Sequence, residues 1–197
     1  MDTEEYPEFR GYPKIARLYR DIIITEKIDG TNACVYVSND GEVLAGCRTR
    51  WITPEDDNHG FAAWVAEHKE ELAAGLPPGT HYGEWWGGGI NRGYGLPKGE
   101  KRFSLFDPKF APAAGCALAS PAAIPVPPCC RVVPVLYMGP FSTSTVWGFL
   151  DALQDGGSVA EPEYPRPEGV VIYHKASRQR FKVTIENDAI PKTRSEQ

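Results

Sequence analysis

The chain has 197 residues, 42% of them hydrophobic and 24% charged, which suits one globular domain with a sizeable core and excludes a disordered or fibrous chain. A net charge of −5 excludes bulk electrostatic adhesion to nucleic acid, because non-specific affinity comes from neutralising phosphates; any such contact must be a local basic patch. Five cysteines without paired Cys-x-x-Cys spacing make neither a disulfide scaffold nor a zinc site, and with no basic-then-apolar leader and no run of membrane-spanning length the expectation is a cytoplasmic protein without membrane contact.

Residues 1–13 are polar with Tyr6, Phe9 and Tyr12 interspersed, an extended lead-in, and residues 14–20 read as a turn of helix or an irregular segment. Ile22-Ile23-Ile24 and Cys34-Val35-Tyr36-Val37 are β-type runs. Between them Thr25-Glu26-Lys27-Ile28-Asp29-Gly30-Thr31-Asn32 sets a lysine and an aspartate where two strands meet at a glycine. Residues 33–37 and 43–47 form a hairpin signalled by Asp40-Gly41, and the second strand ends in Arg48-Thr49-Arg50. Phe61, Trp64, Val65, His68 and Leu72 recur at helical spacing over residues 58–74, ended by Gly75 and Pro77-Pro78.

Residues 80–87 are an aromatic-rich strand leading into a glycine-rich loop, 87–95. A short strand follows over 101–107, with Phe103 and Leu105 on one face and Ser104 and Phe106 on the other. Residues 111–130 are rich in alanine and proline and read as a surface loop. Residues 131–138 form a proline-interrupted strand suited to a sheet edge. A helix follows over 142–154, and the last two strands are 168–173 and 180–185, with a basic connection between them. The tail from residue 189 is polar and loose, and the whole is expected to be one domain.

A lysine beside a strand, partly desolvated or near other cations, can lose its proton near neutral pH and act as a nucleophile. Lys27 is that lysine, and cations (Arg48, Arg180, Lys182), carboxylates (Asp29, Glu84, Glu168) and aromatic plates (Phe103 or Phe106) recur along the chain. Lys27-Ile28-Asp29-Gly30 resembles the signature of the covalent nucleotidyltransferases, the superfamily of ATP-dependent ligases and capping enzymes. Glu-Lys-Ile-Asp-Gly-Thr-Asn over residues 26–32 looks most like RNA ligases of the phage RNA ligase 2 type. The later motifs follow in order: Arg48 in Gly46-Cys47-Arg48, Tyr82-Gly83-Glu84-Trp85, Phe103-Ser104-Leu105-Phe106-Asp107, Glu168-Gly169-Val170-Val171, and Arg180-Phe181-Lys182.

The resemblance implies an α+β fold, mainly antiparallel sheets around a nucleotide groove with peripheral helices. It also implies an ATP-dependent RNA ligase that forms a lysine-adenylate and needs Mg²⁺ or Mn²⁺. Catalytic roles would fall to Lys27, Asp29 and Lys182. Nucleotide contacts would come from Glu26, Lys27, Asn32, Arg48, Glu84, Phe106, Glu168 and Lys182, with Phe106 favoured as the adenine platform and Glu168 serving the metal. In the closing motif an arginine replaces the first lysine, so either Arg180 or Lys182 heads it. The expected partners are RNA ends, with an accessory subunit to present them, since too few residues follow the last strand for a C-terminal domain. The alternatives are a partner-dependent or non-catalytic module that binds nucleic-acid ends, and a minimal DNA ligase.

Overall fold

The computed structural model describes residues 8–107, 109–110, 124–186 and 188. Among these, the irregular segment 8–20 leads into β1 (Asp21–Lys27) and then β2 (Thr31–Val37), β3 (Val43–Cys47) and the short β4 (Trp51–Ile52). Helices α1 (Phe61–Glu67) and α2 (Lys69–Gly75) follow, then β5 (Gly79–Gly87), β6 (Lys101–Leu105), β7 (Cys130–Val132) and β8 (Val135–Pro140). Helix α3 (Thr143–Gly156) and the hairpin of β9 (Gly169–His174) and β10 (Gln179–Thr184) complete the order. No helix among the described residues is long and apolar enough to cross a membrane.

The two strands that meet at Gly30 do not pair with each other. β1 is central in a four-stranded sheet of order β10-β9-β1-β8, whereas β2 belongs to a six-stranded sheet of order β4-β3-β2-β5-β6-β7. Residues 28–30 therefore carry the chain from one sheet to the other. Pro134 does the same in the opposite direction: β7 is the parallel edge of the larger sheet and β8 the antiparallel edge of the smaller. The single strand expected over 131–138 is thus two edge strands, because proline cannot donate to a ladder.

Strand parity sorts the side chains. Ile22 and Ile24 of β1 and Val170 and Ile172 of β9 pack under Val146, Leu150 and Leu153 of α3. Ala33, Val35 and Val37 of β2, Trp85 of β5, and Phe103 and Leu105 of β6 pack against Phe61, Val65 and Leu72 of α1 and α2. With each outer face covered by helix, the alternate residues of both sheets turn toward each other. The helix expected over 58–74 is divided at His68, whose backbone (φ −103°) leaves the helical range and whose ring Nδ1 shares the Trp64 carbonyl with its own N–H. Ile124, Val126 and Cys129 pack against the larger core, so that the described end of the stretch read as a surface loop is a core-lining segment; residues 111–123 lie outside the described set.

Candidate active site

The cleft between the sheets has two adjoining lobes, of about 470 and 350 Å³, that share Asn32, Phe106, Asp107 and Arg180. Ile23, Thr25 and Lys27 of β1 and Val171 and Tyr173 of β9 line the larger lobe from one side, with Asn32, Glu84 and Phe106 opposite. Arg48, at the end of β3, lines the smaller lobe.

Lys27 ends β1 directly opposite Gly169, so the residue before Gly169 falls beside its side chain. Lys27 Nζ donates to Glu168 Oε2 at 2.5 Å, both side chains being largely buried. Gly169 permits this approach: its φ is +151°, and a Cβ there would lie 2.2 Å from the Val183 carbonyl oxygen.

Across the cleft, Asn32 of β2, Glu84 of β5 and Ser104 of β6 form one cross-strand row. Glu84 is only 7% exposed. It accepts hydrogen bonds from Gly30 N–H (3.1 Å) and Asn32 Nδ2 (2.9 Å). Burial pushes its carboxyl up to about 7, against the opposing pull of Lys27 and those two donors, while nearby Glu168 adds to the rise. Gly30 makes the turn this tight, since a Cβ there would stand 2.4 Å from the Trp85 carbonyl oxygen and 2.8 Å from Trp86 Cβ.

Phe106 follows β6 with its backbone N–H on the Tyr82 carbonyl (2.9 Å), and its half-buried ring lines both lobes, whereas Phe103 is wholly in the core. Arg180 and Lys182 stand opposite Tyr173 and Val171, and direct cross-strand partners share a face, so both project from the cleft side of β10. Arg180 lines both lobes and stacks on the Tyr173 ring at 4.9 Å; Lys182 is exposed on that face, closer in register to Lys27.

Two expected site residues point elsewhere. Glu26 precedes Lys27, so its side chain takes the opposite face of β1, where it is buried and accepts bonds from Ser158 Oγ (2.6 Å), Val159 N–H and Ala160 N–H (2.8 Å each). Burial raises its pKa and those three donors oppose the rise. Only the backbone of Glu26 is left for the cleft. Asp29 lines neither lobe: its carboxylate accepts from Asn91 Nδ2 (3.0 Å) and Arg92 Nε (3.2 Å), and its N–H donates to the Tyr94 hydroxyl (3.0 Å). Asp29 thereby fastens the glycine-rich loop to the lysine turn.

Arg92 also bonds the Arg166 carbonyl and Glu186, tying that loop to the segments flanking the β9–β10 hairpin. Sequence reading missed Asn91, Arg92, Tyr94 and Ser158. The polar residues at 91, 92 and 94 within the glycine-rich run were the available signal; Ser158 had none.

Solved structures sharing this fold include RNA ligases. A lysine-to-methionine variant of the Naegleria gruberi RNA ligase with AMP and Mn is 20% identical, with a TM-score of 0.57, 85% of this chain covered and 50% of that one. A lysine-to-alanine variant of the same ligase with ATP and Mn is 19% identical, with a TM-score of 0.55 and coverages of 84% and 49%. A glutamate-to-alanine variant with ATP and Mn is 19% identical, with a TM-score of 0.57 and coverages of 92% and 58%. The class is thus an α+β domain of two mainly antiparallel sheets around a lysine-bearing cleft, and the chain spans about half the length of the ligases it matches. No curated protein matches it by sequence. The chain belongs to the RNA ligase family, which it matches over residues 20–184.

Proposed function

We propose that this chain is the nucleotidyl-transfer domain of an ATP-dependent RNA ligase with Lys27 as its nucleophile. The observation that carries the reading is the Lys27 amine held at 2.5 Å from Glu168 in a cleft that also presents Glu84, Phe106 and Arg180. Membership of the RNA ligase family and the AMP or ATP with Mn in the Naegleria structures support it.

ATP is a substrate. Its adenine stacks on Phe106, its ribose meets the Asn32–Glu84 pair, and its phosphates meet Arg48, Arg180 and Lys182. When Glu168 gives up its contact with Lys27, the amine can shed its proton and attack the α-phosphate. A P–N bond to Lys27 forms as the bond to pyrophosphate breaks. The AMP then passes to an RNA 5′-phosphate, and a 3′-hydroxyl displaces it, sealing the strand.

Among the described residues no three His, Cys, Asp or Glu side chains lie close enough together to hold a metal alone. That suits Mg²⁺ or Mn²⁺ held by Glu168 with water and phosphate oxygens, since such ions keep waters and use one or two carboxylates in nucleotide sites. A divalent ion there would offset the charge of the phosphates.

The span of about half the matched ligases favours a second reading for the substrate step: RNA is presented by another domain or by an accessory subunit. Incubation of the purified chain with ATP, Mn²⁺ and nicked duplex RNA or nicked duplex DNA separates the readings. Sealing of RNA alone supports the complete ligase. Self-labelling by ATP without sealing supports the partner-dependent form, sealing of DNA in preference to RNA the minimal DNA ligase. Absence of self-labelling refutes the nucleotidyl-transfer reading altogether.

A further inference from the structure

Ahead of β1, residues 8–20 run as an irregular, exposed segment. They display Phe9 (92% exposed), Tyr12 (86%), Ile15 (81%) and Tyr19 (74%), with Leu18 also out. Arg10, Lys14, Arg17 and Arg20 are interleaved after Glu8, so residues 9–20 hold four cations and no acid, the acids Asp2, Glu4, Glu5 and Glu8 all preceding them in the sequence. A run of exposed aromatic rings and cations on an acidic protein is the local basic patch that the net charge demands of any nucleic-acid contact.

The base of this arm is anchored. His174 Nδ1 accepts from Ser177 N–H (3.1 Å), which leaves Nε2 as the donor to the Leu18 carbonyl at 2.7 Å. The Arg20 carbonyl accepts from Phe141 N–H (3.0 Å), and the Tyr19 ring lies 6.1 Å from that of Phe141. His174 ends β9, so the anchor sits at the β9–β10 turn, where Lys175 and Arg178 are exposed; from there β10 carries Arg180 and Lys182 along the cleft face. Cations thus continue from the cleft, over the turn, to the arm. The seven residues of β1 place the arm's base roughly 20 Å from Lys27.

We infer that residues 8–20 are a docking arm for single-stranded RNA, the strand leading away from the end held at Lys27; this rests on the ligase reading above. Free bases stack on exposed aromatic rings while cations follow the phosphates, and the combination tolerates any sequence. Bases inside a duplex are already stacked and offer no such face. The centre of a protein–protein interface is depleted of charge, whereas here cations separate most of the apolar side chains from one another.

The test uses the full chain and a labelled, 5′-phosphorylated single-stranded RNA oligonucleotide, with affinity read by fluorescence anisotropy over a salt series. Self-labelling by ATP is read in parallel. Arg10→Ser/Lys14→Ser/Arg17→Ser should lower the log-affinity against log-salt slope by about 2, three phosphate contacts at about 0.7 each. Phe9→Ser/Tyr12→Ser should weaken binding by at least about 25-fold at every salt concentration with the slope unchanged. Both variants should self-label as the parent does.

Parent-like RNA affinity in both variants, with labelling intact, overturns the arm. An equal loss on the matching RNA duplex overturns its single-strand preference. A change in oligomeric mass by light scattering without a change in RNA affinity makes the arm a protein contact and overturns the inference. Failure of the parent itself to label strikes the ligase reading and leaves the binding comparison standing as a separate result.

Discussion

Glu84 is a buried carboxyl whose pKa of about 7 makes stability depend on pH in a defined direction. From 4.5 in the unfolded chain to about 7 in the folded one, the shift amounts to a cost of about 3 kcal/mol for folding with Glu84 ionised. The cost is absent below the unfolded value, where both states are protonated, and grows as pH rises toward and past the folded value. Between pH 5.5 and 8.5 about 2 kcal/mol of it is added. Glu84→Gln keeps the shape and cannot ionise, so its stability should not carry this slope.

Glu26 is shifted in the same direction, and its contribution appears equally in parent and variant; the difference between the two profiles isolates Glu84. Measured by thermal unfolding with tryptophan fluorescence, the Tm of Glu84→Gln relative to the parent should rise by about 4–8 °C from pH 5.5 to 8.5. Parallel profiles would show that Glu84 is solvated or fully ion-paired in the folded protein, and would refute the reasoning.

Other perturbations test separate parts of the cleft. Gly30→Ala drives a methyl into the Trp85 carbonyl and Trp86, and should cost about 1–3 kcal/mol in urea unfolding and reduce self-labelling by forcing the lysine turn away from Glu84. Phe106→Ala should weaken ATP affinity by about 5- to 150-fold in a titration, the range for loss of one base–aromatic stack, with little change in Tm because the ring is only half-buried. Chelation of divalent ions should stop self-labelling while leaving Tm in place, since Lys27 occupies Glu168 in the ion's absence.

Much of the architecture was legible because local chemistry and global fold agree. Asp40-Gly41 marked the β2–β3 hairpin, although the turn is a three-residue loop with Gly41 at positive φ, which sets Val37 opposite Val43 where a two-residue Asp-Gly turn would set it opposite Leu44. The spacing of Val146, Leu150 and Leu153 marked α3, and alternation along residues 103–106 separated the core Phe103 from the cleft Phe106. The same alternation, applied one residue back from Lys27, turns the Glu26 side chain to the other face of β1 and leaves its backbone at the cleft.

What stayed hidden was non-local. Nothing near Gly30 or Pro134 announces that the chain changes sheet there, because sheet membership is decided by partners more than a hundred residues away, such as Gly169 opposite Lys27. The contacts of Asp29 were equally hidden, since they rest on Asn91 and Arg92 in a glycine-rich loop distant in sequence. In the closing strand, pairing with Tyr173 and Val171 puts both Arg180 and Lys182 on the cleft face, and only Arg180 folds over the Tyr173 ring to line both lobes, a difference that composition does not contain.

The central claim is that Lys27 takes up AMP. Incubation with ATP and Mn²⁺ followed by proteolysis and peptide mass spectrometry tests it most directly. The account predicts the mass of one AMP on the peptide containing Lys27 and none on the Lys27→Ala protein. AMP on another residue, or labelling that survives Lys27→Ala, would contradict it.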